Sequence, residues 1–353
     1  MTDGQGGARA DGRTARRSRR SGIVDVARLA GVSIGTASKA LNGRGQLRPE
    51  TRARVQAAAD ELGFIPSAVA TSLLRGRTYT VGLIMTDHHG RFSLPILHGA
   101  EDALGWDETL AFVCDTRDDP IREQHYVRSL LRRRVDGIIV AGRRTEPRPP
   151  LVGNPPVPVV YAFARSTEPV DCSVVVDEAA GAVAAVEHLL RTGRRRIAHV
   201  TGPPGHASTR ARVDGTREAL AAAGVELVGD PWYGGWSEVW GRFAAAALTR
   251  THSDVDAVFC GSDAIGRGVA DGLRECGRRV PDDVALVGVD NWQPTVEGCR
   301  PPLTSVDLNL REVGRSAGAL LLQAIGQGAV PGVHQVPCRL VVRASSAPAT
   351  IDG

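Results

Sequence analysis

No part of this chain constrains its fold more than the stretch from Ile23 to Leu74, which opens IVDVARLAGVSIGTASKALN. Ala27 is small enough for a second helix to cross close over the first. Gly31, four residues later, can take the positive φ that a short turn between crossing helices requires. Ser33 offers a hydroxyl to the free amides of the helix that follows. Val26, Leu29, Ala30, Val32, Ala37 and Leu41 then fall on the inner faces of two short helices, and Asn42-Gly43 ends the second. The pattern predicts a helix-turn-helix with Ile34 to Leu41 as its recognition helix, although a generic αα-hairpin would share these two helices. Pro49 to Leu62 reads as a third helix, with Val55, Ala59 and Leu62 on one stripe and Gly63 just past its end. After Phe64-Ile65-Pro66, the segment SAVATSLLRG has a helical pattern but no partner face of its own.

Charge is distributed to match. The chain has 353 residues and a net charge of +4, enough length for a small domain and a larger one with a sizeable core. Up to Arg77 there are 14 Lys and Arg against 6 Asp and Glu, so the remainder is mildly acidic. A basic head on an acidic body suits a chain whose head alone meets phosphate. The one lysine, Lys39, lies on the expected recognition helix. Residues 1–22 are rich in Gly, Arg and Ser and read as a disordered basic arm; no apolar run follows, so a signal peptide is not expected. No stretch is long enough to span a bilayer, so no membrane partner is expected. Six scattered cysteines without a C-x-x-C pair argue against a zinc site or a disulfide framework and fit a reducing cytoplasm.

The order DVARLAGVS, TASKALN, PETRARV, LGFIPS, ATSLLRG resembles the DNA-binding headpiece and hinge of the lactose-repressor/galactose-repressor family. The resemblance continues to about Ser346. It implies a helix-turn-helix domain over 23–66, a hinge helix and linker over 67–78, an effector-binding and dimerisation core over 79–346, and a short tail over 347–353. It further implies a cytoplasmic, nucleoid-associated homodimer on a palindromic operator duplex. Its recognition helices would enter the major groove with Ile34, Gly35 and Lys39 exposed, and with Ser33, Thr36, Ser38 and Asn42 available to bases or phosphates. Leu73, with Ala70 keeping its neighbourhood small, matches the family's hinge leucine, which wedges into the minor groove.

From Thr80 onward, β-rich runs alternate with helical ones. Strands are expected at Val81–Met85, Leu110–Cys114, Gly137–Val140, Val157–Tyr161, Ser173–Val176, Arg196–Thr201, Ala257–Cys260 and Val284–Val289. Helices are expected at Glu178–Arg191, Ala211–Ala223 and Ala264–Cys276 among others, then a strand-like start and long helix over Thr304–Gln327 and a last strand over Cys338–Arg343. Repeated βα units mean doubly wound parallel sheets in an α/β fold, and the number of strands calls for two lobes. The Pro-rich run from Arg148 to Pro158 reads as a surface loop. The family's core resembles two-lobed periplasmic sugar-binding proteins with a ligand cleft between the lobes. Loops at strand C-termini would converge on that gap.

By that resemblance, the effector-binding residues are Asp87, Phe92, Arg210, Trp236, Asp263 and Asp290, with a sugar or sugar-like metabolite as effector and no cofactor. Ser262-Asp263 opens a helix, so capping is the alternative role for Asp263. Several positions depart from the family: Gly90-Arg91-Phe92 replaces a common Asn-Pro-Phe, Ser262 and Glu178 each replace an Asn, and Leu308 stands where a polar contact residue occurs. His88-His89 has no partner cluster for a metal and reads as a polar loop. An exported sugar-binding protein is disfavoured by the headpiece. A hydrolase is disfavoured because Gly314-Arg315-Ser316-Ala317-Gly318 falls inside a helical run, whereas a nucleophile elbow needs a strand and a sharp turn. No Walker loop and no strand-borne G-x-G-x-x-G is present.

Overall fold

A computed structural model describes residues 21–42, 45–65, 76–87, 90–105 and 109–346. The chain divides into two compact units, residues 1–78 and 79–353. The expectations for the arm, for Ala70 and Leu73 in the hinge, for His88-His89 and for the tail fall outside the described residues.

Among the described residues, the first unit holds three helices, α1 (Ile23–Leu29), α2 (Ile34–Leu41) and α3 (Pro49–Glu61). Its core is built from Val26, Ala27, Ala30, Ala37, Ala40, Val55, Ala58 and Ala59. With alanine at most contact positions, the helix axes can approach closely. Gly31 takes φ +63°, and Val32 N–H donates back to Ala27 O at 3.0 Å, closing the turn. The expected inner position of Leu29 is corrected, since this side chain is 47% exposed. At about 100° per residue, Val26, Ala30 and Ala27 span one arc of the helix and Leu29 falls outside it. Helix α3 stops one residue short of expectation, with Leu62 as its C-cap.

The second unit has two lobes, each a six-stranded sheet covered by helices. The first lobe's sheet runs β13-β7-β5-β3-β1-β2 and is parallel throughout. Its strands are β1 (Thr80–Met85), β2 (Leu110–Asp115), β3 (Gly137–Ala141), β5 (Val159–Ala162), β7 (Cys172–Val176) and β13 (Gly332–Val336). The second runs β14-β12-β11-β10-β8-β9, from β8 (Ile197–Thr201), β9 (Trp232–Tyr233), β10 (Ala257–Cys260), β11 (Ala285–Val289), β12 (Thr304–Asp307) and β14 (Arg339–Val341). Only β14 is antiparallel to its neighbour. Within the Pro-rich loop, two residues form β4 (Pro147–Arg148) and pair with β6 (Arg165–Ser166). The loop is not wholly superficial: Leu151 is buried, and its N–H donates to the Tyr161 hydroxyl at 2.9 Å.

Helices α4 (Ser93–Gly105), α5 (Pro120–Arg132) and α11 (Leu310–Gln327) cover the first lobe. The second carries α6 (Glu178–Arg191), α7 (Ala207–Ala222), α8 (Glu238–Thr251), α9 (Asp263–Glu275) and α10 (Gln293–Gly298). The chain crosses between lobes three times: β7 to α6, β12 to α11, and β13 to β14. These crossings lie side by side, with Asp177 N–H donating to Val336 O at 3.1 Å and the Cys338 thiol to Asp177 O at 3.3 Å. The G-x-S-x-G run lies inside α11. A Cβ at Gly314 would sit 2.0 Å from Ile96 O, so this glycine serves the close crossing of α11 over α4.

Candidate functional site

The α2 surface is shaped by its cap. Ser33 Oγ accepts from Thr36 N–H at 3.1 Å and lies 2.9 Å from the Thr36 hydroxyl, so the two hydroxyls hold each other at the helix start. Asn42 closes the other end, its amide donating to Ser38 O at 2.8 Å. Ile34 (51% exposed), Gly35 and Lys39 face outward, while Ala37 and Ala40 face the core. The exposed strip therefore offers one apolar side chain, one open backbone patch and one ammonium.

In the second unit, strand C-termini from both lobes converge on a cavity of about 380 Å³. The first lobe supplies Arg91 and Phe92 between β1 and α4, Arg143 and Arg144 after β3, and Phe163 after β5. The second supplies Glu178 at the start of α6, His206 and Arg212 after β8, Trp236 after β9, and Ser262 and Asp290 after β10 and β11. Leu308 lines it from the β12 crossing. Of the core residues noted above as departures, Arg91, Glu178, Ser262 and Leu308 line the cavity and Gly90 does not.

Three of the six sequence-derived effector residues line this cavity: Phe92, Trp236 and Asp290. Phe92 stacks on Phe163 with centroids 5.5 Å apart. Trp236 stacks on His206 at 5.9 Å and donates its indole N–H to His206 Nδ1 at 2.9 Å. Asp290 accepts from the Arg91 guanidinium. Burial pushes its carboxyl above the ordinary range, against the pull of Arg91.

The other three do not line it. Asp87 caps α4, accepting from Phe92 N–H at 2.7 Å and Ser93 N–H at 3.3 Å. Asp263 is fully buried behind the cavity wall, accepting from the Ser305 hydroxyl at 2.5 Å and Trp292 N–H at 2.8 Å. Burial, then the Asp290 charge, pushes its pKa up to about 8. The adjacent Ser262 is the N-cap of α9, accepting from Ile265 N–H at 3.3 Å. Arg210 is exposed, its guanidinium donating to Gly205 O at 2.6 Å.

The arginine of α7 that lines the cavity is Arg212. Two residues on a helix are about 200° apart, so Arg210 and Arg212 point to opposite sides of α7. A readable signal was Gly215: a Cβ there would meet Ala179 O at 2.3 Å, so its face of α7 lies against α6. Arg212, one turn earlier, shares that face and reaches Glu178, with Nε donating to Oε2 at 2.7 Å. Both side chains are nearly inaccessible, at 5% and 6% exposure. Burial raises the Glu178 pKa, opposed by the Arg212 charge, and leaves Glu178 Oε1 buried without a partner. The Arg212 guanidinium carbon sits 5.8 Å from the Trp236 ring centroid. Among the described residues, no group of His, Cys, Asp and Glu could hold a metal ion, and no helix is long and apolar enough to cross a membrane.

A helix-turn-helix unit followed by two doubly wound lobes closing on a charged, aromatic cavity defines a ligand-responsive DNA-binding regulator. The comparisons narrow this class. Residues 22–67 match the model of bacterial regulatory proteins of the lacI family, and residues 186–346 a periplasmic binding protein-like domain. The chain is 35% identical over 337 residues to the HTH-type transcriptional regulator CelR of Thermobifida fusca, covering 92% of this chain and 96% of that one. It is 32% identical to catabolite control protein A of Priestia megaterium, over 92% and 98% of the two chains. Among solved structures it is similar to a CelR–cellobiose complex (TM-score 0.63, 32% identity, 92% and 100% covered). It is also similar to the lac repressor dimer bound to operator and the anti-inducer ONPF (TM-score 0.76, 25% identity, 93% and 99% covered). The chain belongs to the lacI family of bacterial regulatory proteins.

Proposed function

We propose that this regulator is a repressor whose operator affinity is set by a sugar or sugar-like metabolite held between the lobes. The observation that carries the reading is the cavity's composition. Aromatic faces at Phe92, Phe163 and Trp236 suit the apolar face of a sugar ring, and the buried oxygen of Glu178 needs a donor such as a hydroxyl. A solved relative binds cellobiose. Within the cavity, Phe92, Trp236, Asp290, Glu178 and Arg212 are the effector contacts, and Asp87 and Asp263 support them from behind. On DNA, Ile34, Gly35 and Lys39 face the major groove, Ile34 being suited to a thymine methyl and Lys39 to a guanine edge or a phosphate.

By the dimeric arrangement of the lac repressor on its operator, a homodimer on a palindrome is the natural assembly, in the cytoplasm and at the nucleoid. By the family resemblance, Leu73 would wedge into the minor groove at the operator centre, with Ala70 keeping the neighbouring face small, and lobe movement would decide whether it can do so. Regulation without catalysis suits Ser316, which lies mid-helix and donates to Glu312 at 3.3 Å instead of standing on a sharp turn. The test is a panel of sugars scored by thermal shift, with each hit tested for its effect on operator binding in a gel shift. Turnover of a hit, or hits that leave DNA binding unchanged, would overturn the reading.

A further inference from the structure

We infer that the effector is an acidic sugar, whose anionic group (carboxylate or phosphate) docks on Arg143 and Arg144 at the rim of the cleft. The inference rests on the sugar reading above and adds the chemical class. Inside the cavity, the charges cancel: Arg91 pairs with Asp290, and Arg212 with Glu178. Arg143 and Arg144 remain, and they also line a second cavity of about 440 Å³ in the first lobe. They thus border both cavities; of the acids that line the second, Glu123 pairs with Arg148, Asp119 with Arg122 and Asp118 with Arg143.

Neither arginine is strongly committed within the chain. Arg143 pairs with Asp118, but the two side chains are 38% and 54% exposed, and an ion pair so exposed is weak enough to exchange for a ligand. Arg144 is exposed and makes no hydrogen bond or ion pair among the described residues. Glu146, the nearest acid along the chain, accepts from Ala207 N–H through Oε1 at 3.1 Å, and its buried Oε2 has no partner and makes no bond to either arginine. A neutral sugar would satisfy the paired interior and leave this cationic rim unused. A carboxylate or phosphate matches the planar guanidinium fork, which binds such groups through two parallel hydrogen bonds.

The test is calorimetry on the full chain with glucuronate, galacturonate and glucose 6-phosphate against glucose, galactose and cellobiose. An acidic sugar should bind about tenfold tighter than its neutral parent at low salt, with the gap narrowing as salt rises. Arg144→Gln should remove most of that advantage and leave neutral sugars within about twofold, and Arg144→Lys should retain part of it. Uronate binding without glucose 6-phosphate binding assigns a carboxylate, and the reverse a phosphate. Neutral sugars binding as tightly as acidic ones would overturn this inference and leave the sugar reading standing. So would an Arg143→Gln/Arg144→Gln double variant with unchanged uronate and phosphate affinity. A panel in which no sugar binds would overturn both.

Discussion

Arg91 and Asp290, 199 residues apart in sequence, join the two lobes across the cavity, the guanidinium of the first donating to the carboxylate of the second. The carboxylate side chain is 7% exposed and the arginine 27%. Arg91 also lies 5.1 Å from the Phe92 ring centroid, and its Nε is buried without a partner. The pair thus holds the lobes together while keeping one donor for a ligand oxygen.

Removing the arginine leaves a buried carboxylate without its counter-charge. Arg91→Ala should lower stability by about 2–3 kcal/mol, below the full cost for a wholly buried pair because Arg91 is partly solvated. The loss should be smaller at pH 5.5 than at pH 8, since an unpaired Asp290 escapes the penalty by protonating. Urea titrations at the two pH values check this. Equal losses at both would mean that Asp290 stays solvated when its partner is gone.

The two arginines of α7 make opposite predictions. Arg212→Ala should abolish the effector response and cost about 3–5 kcal/mol, because Glu178 is left buried without its counter-charge and hydrogen-bond partner. Arg210→Ala should stay within about 0.5 kcal/mol of the parent protein, as an exposed substitution does. Chemical denaturation together with effector titration separates them. An effector response lost in the Arg210 variant and kept in the Arg212 variant would reverse the assignment.

That contrast also marks what the sequence could carry. Helix limits were readable where caps and periodicity agree, as in Ile34–Leu41 behind Ser33 and Glu178–Arg191 behind Asp177. Buried parallel strands such as Ala257–Cys260 announce themselves as unbroken apolar runs. Strand β13 does not, because on a sheet edge it alternates half-buried and exposed residues and includes His334 and Gln335. Among the site residues, Asp290 directly follows a strand and lines the cavity, whereas Asp87, two residues after β1, caps α4 instead. Arg210 lies outside the cavity that Arg212 lines, because a shift of two residues in a helix reverses the face. Asp263 lies behind the wall, since a polar residue at a strand end can point away from the cavity as well as into it.

On the recognition helix, Ser33 and Lys39 separate fold from reading. Ser33→Ala removes the α2 cap and should cost about 1 kcal/mol of headpiece stability. Lys39→Ala should leave that stability unchanged and weaken operator binding by about 1–3 kcal/mol if the ammonium meets a base edge. Loss at one symmetric base position in an operator library signals base contact. Uniform weakening with a shallower salt dependence would make Lys39 a phosphate contact instead.

The buried carboxyl of Asp263 gives the protein a pH-dependent stability. Its pKa is about 8 against an ordinary value of 3.8, raised by burial and by Asp290 and eased by Arg91. A carboxyl whose folded pKa is raised binds more protons in the native than in the unfolded state. Its contribution is therefore fully present below pH 3.8 and lost as pH rises through about 8. Between pH 6 and 8.5, this should cost the parent protein about 2–3 kcal/mol relative to Asp263→Asn. The amide keeps the shape and removes the titration. Its oxygen can still accept from Trp292 N–H, and its NH₂ can donate to the Ser305 hydroxyl, which reverses its role. Stability profiles of the two proteins should draw together as pH falls towards 4 and separate up to about pH 8, beyond which the gap levels off with the asparagine variant the more stable. Curves that run parallel across the range would mean that Asp263 does not exchange its proton there, and that the carboxyl pair is held in one charge state throughout.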